Sequence, residues 1–169
     1  MEPEAAARRL EATAKAIEAL ARGVDGEQAR WKPAPEKWSI LEVVNHLHDE
    51  EREDFRQRLD YTLHRPGERW PKIDPEGWVA ARGYAERDLD ESLDRFLAER
   101  RQSVEWLRGL ESPDLDAVYE HPRGRVSAGD LLAAWLAHDL LHVRQLTRLR
   151  YQHLAAAAHP YRLEYAGEW

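Results

Sequence analysis

The sequence predicts an all-α protein, a four-helix bundle, on three observations. Apolar residues recur at three- and four-residue spacing along four long segments. Two serines open such segments with an acid three residues later, at Ser39–Glu42 and Ser127–Asp130. A long connection punctuated by prolines, "PGERWPKIDPEGWVAARGY", separates the second segment from the third. It has room to run the length of a bundle, so helices two and three would lie parallel. The expected order is up-down-down-up with a long crossover between helices 2 and 3.

The first helix is expected from about Glu4 to Arg22, with Leu10, Ala14, Ile17 and Leu20 on one face. Gly23 and "GVDGE" end it. The loop "RWKPAPEKW" carries two prolines and reads as irregular backbone. The Ser39 capping box starts a helix at Ile40 that should run to about Leu63 and stop before Pro66. Within the crossover, "PEGWVAAR" suggests a short helical turn, and Trp70 and Trp78 are candidates to line a pocket. The third helix should span about Leu89 to Leu107, with Leu93, Phe96, Leu97, Val104 and Leu107 inward and Gly109 as C-cap. "ESPDLDAVYEHPRGRVS" reads as a loop, and the fourth helix as Ala128 to about Ala155. The tail "HPYRLEYAGEW" is irregular, and its three aromatics suggest docking. Trp38, Trp106 and Trp135 read as core or helix-end packing. No segment reads as a strand, and residues 1–169 form one domain.

The composition is that of a globular chain, 169 residues with 43% hydrophobic and 34% charged. No apolar run approaches the ~20 residues of a membrane span. The charged start "MEPEAAARRLEA" lacks the apolar core of a secretory signal, so a cytoplasmic setting is expected. There is no cysteine, which excludes disulfides, an internal thiolate nucleophile and thiolate zinc sites. Any thiol chemistry would use an external thiol. A net charge of −7 argues against a nucleic-acid footprint. Runs such as "EEREDFRQRLD" interleave acids and bases, as a solvated helix face does.

The informative residues are histidines. His138 and His142 stand one helical turn apart within "WLAHDLLHVRQL", with Cβ atoms ~5–6 Å apart. Both rings lean the same way, so one metal ion can bind both. The apolar flanks place the pair inward, where unpartnered imidazoles cost free energy. His46, in "VVNHLHDEE", is the candidate third ligand. His48 points ~160° away around that helix and reads as a rim or surface residue. Glu50, four after His46, is a candidate outer acceptor, fourth ligand or general base; the alternative is a salt-bridged residue in the acidic run. Asp139 is a candidate base, or a group that orients a ligand. Three histidines leave a coordination position open, as catalytic sites do. Zinc is the first expectation, with nickel, iron or manganese as alternatives. No Glu-x-x-His or His-Glu-x-x-His is present.

Together these residues resemble the DinB/YfiT-like superfamily, including the DinB-like domains of bacterial thiol S-transferases. The likeness lies in Trp38-Ser39 opening a helix, His46-Leu47 one heptad later, His138-Asp139-x-x-His142-x-x-Gln145, and Gly124 ahead of Ser127. It covers nearly the whole chain. It implies an up-down-down-up bundle, a divalent metal on His46, His138 and His142, and a homodimer. Some relatives attach a small thiol such as bacillithiol, mycothiol or glutathione to electrophiles; others are described as hydrolases or only as damage-inducible proteins.

Three functions follow, each for a small-molecule substrate or none, and none involving nucleic acid or membrane. The first is metal-dependent thiol transfer, with Arg123, Arg125 or the crossover tryptophans holding an anionic thiol. The second is hydrolysis by water whose pKa the metal lowers to ~7, with Glu50 or Asp139 as base. The third is a non-catalytic, metal-binding stress-response dimer. A metal-free bundle with satisfied core histidines is the remaining alternative.

Overall fold

The protein was analysed as a computed structural model that describes residues 2–122 and 124–169. The helices are α1 (Pro3–Ala21), α2 (Gly26–Arg30), α3 (Ile40–Glu50), α4 (Arg56–His64), α5 (Pro75–Ala81), α6 (Leu89–Arg108) and α7 (Ala128–Ala157). A π-helical turn, Glu51–Phe55, joins α3 to α4, so the two make one continuous rod. With α1, α6 and α7 this rod forms a four-helix bundle. No helix among the described residues is long and apolar enough to cross a membrane.

Side-chain contacts give the helix directions. Arg22 at the end of α1 pairs with Asp90 and Asp94 at the start of α6, and Arg108 at the end of α6 pairs with Glu4 and Glu11. These two helices are antiparallel. Asn45 bonds Ser92 and Arg56 bonds Ser103, so the α3–α4 rod runs parallel to α6. His46 meets His138 and His142 while Phe55 stacks on Trp135, so the rod is antiparallel to α7. Arg150 of α7 reaches the Leu20 carbonyl near the end of α1, as parallel helices allow. The order is up-down-down-up, as the crossover length predicts.

The core divides into two apolar clusters. One gathers Ile17, Ile40, Val43, Leu47, Leu93, Phe96 and Leu146. The other gathers Leu10, Phe55, Leu59, Leu107, Leu132 and Trp135. Each buried side chain of this size contributes roughly 1.5–3 kcal/mol. Between the clusters, on every helix, lies a polar layer. Arg100, Glu51 and Asp139 are 2%, 1% and 0% exposed. Arg100 Nε and Nη2 donate to the two Glu51 oxygens at 2.7 and 2.8 Å. Its Nη1 and Nη2 donate to the Asp139 oxygens at 2.6 and 2.8 Å, and Nη1 also to the Leu10 carbonyl at 3.0 Å. All five guanidinium N–H groups are used. Trp135 Nε1 donates to Glu51, and Thr13 to Asp139. Burial works against the arginine's charge, but the two carboxylates outweigh it and raise its pKa.

Several expectations need correction. The second long helix is not regular throughout: the Arg56 amide donates to the Glu51 carbonyl, five residues back. In a regular helix His46 and Phe55, nine residues apart, would point ~180° from each other. The wide turn re-phases the rod, and both rings rest on His138, with centroids 5.4 and 4.9 Å away. The "loop" before α7 holds a hairpin of β1 (Val118–His121) and β2 (Gly124–Ser127), with Tyr119 opposite Val126. Val118, Tyr119 and Val126 favour strand, but four-residue strands leave too few alternations to read. Gly124 takes φ +130, open to glycine and strained for other residues. A short α2, capped by the Asp25 side chain, stands between α1 and the "RWKPAPEKW" loop, where no helix is expected. In the tail, Trp169 stacks on Tyr151, whereas Tyr161 and Tyr165 are exposed, so one aromatic docks rather than three.

The polar layer predicts a large asymmetry in stability. Arg100→Ala leaves two buried carboxylates unpaired and should cost about 3–5 kcal/mol in denaturant unfolding. Replacing the trio together, Arg100→Met with Glu51→Leu and Asp139→Leu, should recover most of that loss. A loss below about 1 kcal/mol for Arg100→Ala would contradict the assignment.

Candidate metal centre

The three histidines meet in the groove between the α3–α4 rod and α7. Ser39 caps α3: its hydroxyl accepts from the Glu42 amide at 3.3 Å, and Glu42 accepts from the Ser39 amide at 2.8 Å. Lys32 holds the other Glu42 oxygen at 2.7 Å. The capped helix presents His46 to α7, where His138 and His142 share one face. The His138 Nε2 lies 3.4 Å from the His46 Nε2 and 3.0 Å from the His142 Nε2. Trp38, just before the cap, packs on the His46 ring with centroids 4.7 Å apart.

Burial sets the charge state. It pushes the His46 pKa down to about 2 and His138 to about 3, with the neighbouring rings adding to the effect. It also lowers His142. All three are neutral at pH 7, the form that binds metals. His142 Nδ1 lies 2.8 Å from the Gln145 carbonyl oxygen, which can only accept. The ring proton therefore sits on Nδ1 and the Nε2 lone pair faces the other two histidines. Two ligands ~2.0–2.1 Å from a tetrahedral ion stand about 3.3 Å apart. The observed spacings fit a single ion, and the donor set suits zinc, nickel or iron.

Among the described residues, the converging donors are His46, His138 and His142 alone. Glu50 is buried but turns to Asp54 and Arg58, outside this set. Its Oε1 has no hydrogen-bond partner among the described residues. Burial, reinforced by Asp54, pushes its pKa up to about 8. The reading of Glu50 as an acidic surface residue therefore fails. Asp139 does not face the site: its oxygens are taken by Arg100 and Thr13, in the polar layer. His48 is half-buried, as a rim residue is. α6 covers it near Glu99 and Arg95, and burial lowers its pKa. Arg125 is exposed and pairs with Glu120 across the hairpin. Arg123 lies outside the described residues. Trp70 stacks on Tyr119 at 3.9 Å and pins the crossover to the hairpin, while Arg82 lies over Trp78.

Two grooves flank the site and share Gln145 and Arg148. One, about 320 Å³, is walled by Lys37 and Trp38; the other, about 680 Å³, by His142, Arg144 and Trp169. The sequence marked His142 as a ligand and Trp38 and Gln145 as part of the family likeness, but gave no role to Lys37, Arg144, Arg148 or Trp169. Gln145 and Arg148 follow His142 at three-residue steps, so helical spacing could have found them. Trp38 and Trp169 are brought in by tertiary packing, without a local signal.

The Glu50 shift carries a stability consequence. Its folded pKa, about 8, lies above its ordinary 4.5, so folding takes up a proton between those values. The contribution is fully present below pH 4.5 and is lost as pH rises through 8. Thermal melts should show stability declining over this window, and Glu50→Gln, which mimics the neutral acid, should flatten the decline. An unchanged slope in the variant would contradict the shift.

A search of curated proteins finds no match to this chain. Among solved structures it is similar to YfiT from Bacillus subtilis, described as a probable metal-dependent hydrolase with an unusual four-helix bundle topology. The identity is 17% and the TM-score 0.78, over 89% of this chain and 86% of YfiT. The sequence profile of the DinB superfamily matches residues 9–146, and the chain belongs to that superfamily.

Proposed function

We propose that the protein is a metal-dependent enzyme that holds one divalent ion on His46, His138 and His142 and transfers a low-molecular-weight thiol to an electrophile. Zinc is the first choice of ion, then nickel, iron or manganese. The observation that carries the reading is the convergence of three neutral imidazole Nε2 atoms at the spacing of metal ligands. Thiol transfer needs two reactants, and two grooves meet at Gln145 and Arg148. The chain has no cysteine, so the sulfur comes from a cosubstrate. A cytoplasmic setting, rich in reduced thiols, suits this chemistry.

When bound, the ion supplies Lewis acidity, which lowers the pKa of a thiol, or of water, toward neutrality. The chain's own groups do the rest. Gln145 holds the His142 proton on Nδ1. Trp38 and Phe55 cover the His46 and His138 rings and keep water from them. In the reaction the thiol sulfur forms a bond to the electrophilic carbon. The bond to the leaving group breaks with its electron pair, and the thiol proton goes to solvent.

Hydrolysis is the second reading. The description of YfiT favours it. The homodimer expected from the family would cover Leu140 and Leu154, which stand exposed on α7.

Untagged protein should carry about one divalent ion per chain by elemental analysis, and His46→Ala should lose most of it; full retention would remove His46 from the site. The loaded protein should conjugate monochlorobimane with at least one of glutathione, bacillithiol or mycothiol. Ester cleavage without turnover of any thiol would favour the hydrolase instead. Bound metal with neither activity would favour the non-catalytic reading.

A further inference from the structure

We propose that the larger groove is a subsite for a small organic anion with a flat apolar body, such as an aromatic carboxylate, and that this is the electrophile's side of the reaction. The proposal names a substrate class for the site described above and rests on that reading for its role in catalysis. Its basis is the wall of the groove itself.

The groove measures about 680 Å³, the size of a small-molecule site. His142 forms one part of its wall. Arg144 and Arg148 stand one turn apart on α7, ~5–6 Å between Cβ atoms. Both are exposed, and neither has a carboxylate partner among the described residues. Their guanidinium groups therefore stay available to a ligand, whereas those of Arg22, Arg82, Arg100 and Arg108 are taken by acids. Two free guanidinium groups at this spacing can share the oxygens of one carboxylate.

The remaining wall is apolar. Leu141 is 52% exposed, and the Trp169 indole 64% exposed. The indole is held in place: it stacks on Tyr151 with centroids 4.5 Å apart and planes 9° apart. A fixed aromatic face and a leucine beside two unpaired arginines match a ligand with a flat body and an anionic end. The smaller groove has a different character. It is half the volume and bounded by Lys37 and Trp38, so the thiol is assigned there.

The test is binding measured by calorimetry on metal-free protein, so that no carboxylate–metal contact contributes. The probes are 2-naphthoate and its neutral counterpart, 2-naphthamide. Naphthoate should bind, and naphthamide at least about tenfold more weakly. Arg144→Gln with Arg148→Gln should weaken naphthoate by about tenfold or more, and Trp169→Ala should weaken both probes. These side chains are exposed, so the variants should keep the parent melting temperature. Equal binding of the two probes, or parental affinity in the double arginine variant, would overturn the proposal. So would absence of naphthoate binding together with a dimer that Trp169→Ala dissociates, which would assign the apolar wall to a second copy of the chain. Normal metal content without naphthoate binding sinks only this subsite. Naphthoate binding in a protein that takes up no metal sinks only the metal-dependent reading.

Discussion

Four helices meet at the Arg100 guanidinium, whose five N–H groups are divided among Glu51, Asp139 and the Leu10 carbonyl. Each partner comes from a different helix, and Trp135 and Thr13 complete the carboxylates. The layer lies between two apolar clusters and separates them on every helix. Its effect on register follows from the energies involved. Sliding any helix by a turn would strand a charge in the core, at several kcal/mol. Leucine and valine contacts alone would permit such slips more cheaply.

The histidine cluster depends on this layer. Asp139 is the neighbour of His138, so its ion pair with Arg100 fixes the rotation of α7 that presents His138 and His142 to α3. Glu51 opens the π turn, and its pairing with the same arginine fixes where the rod re-phases. Without that turn Phe55 would point away from the side that carries His46, and His138 would lose the ring that covers it. Asp139, expected as a base or as a group that orients a ligand, is bound to Arg100 in the polar layer and sets the position of the neighbouring His138.

Burial explains the chemistry of the site. The low pKa values of His46 and His138 arise from desolvation before any neighbour is counted. Gln145 partners the His142 ring, and the three Nε2 atoms are left close together at metal-ligand spacing. Burial acts on Glu50 in the opposite sense and keeps it protonated at neutral pH. The grooves differ because their walls come from different elements: the loop before α3 on one side, the tail stacked on Tyr151 on the other.

Much of this was legible in the sequence by itself. Helical periodicity, the Ser39 and Ser127 caps and the long crossover determine four helices and their order, because these signals are local or concern chain length. The spacing of His138 and His142, joined to His46, determines the candidate site. What only the tertiary structure decided involves contacts between distant residues. Asp139 and Glu50 are both acids near the histidines in sequence. Nothing in their spacing tells that Arg100, 39 residues from Asp139, claims the first, while Asp54 and the core neutralise the second. The π turn is equally silent, since "EREDF" holds no breaker and the partners of Glu51, Arg100 and Trp135, are distant in sequence. Burial and charge pairing are properties of the assembled bundle, and they assigned each polar residue its role.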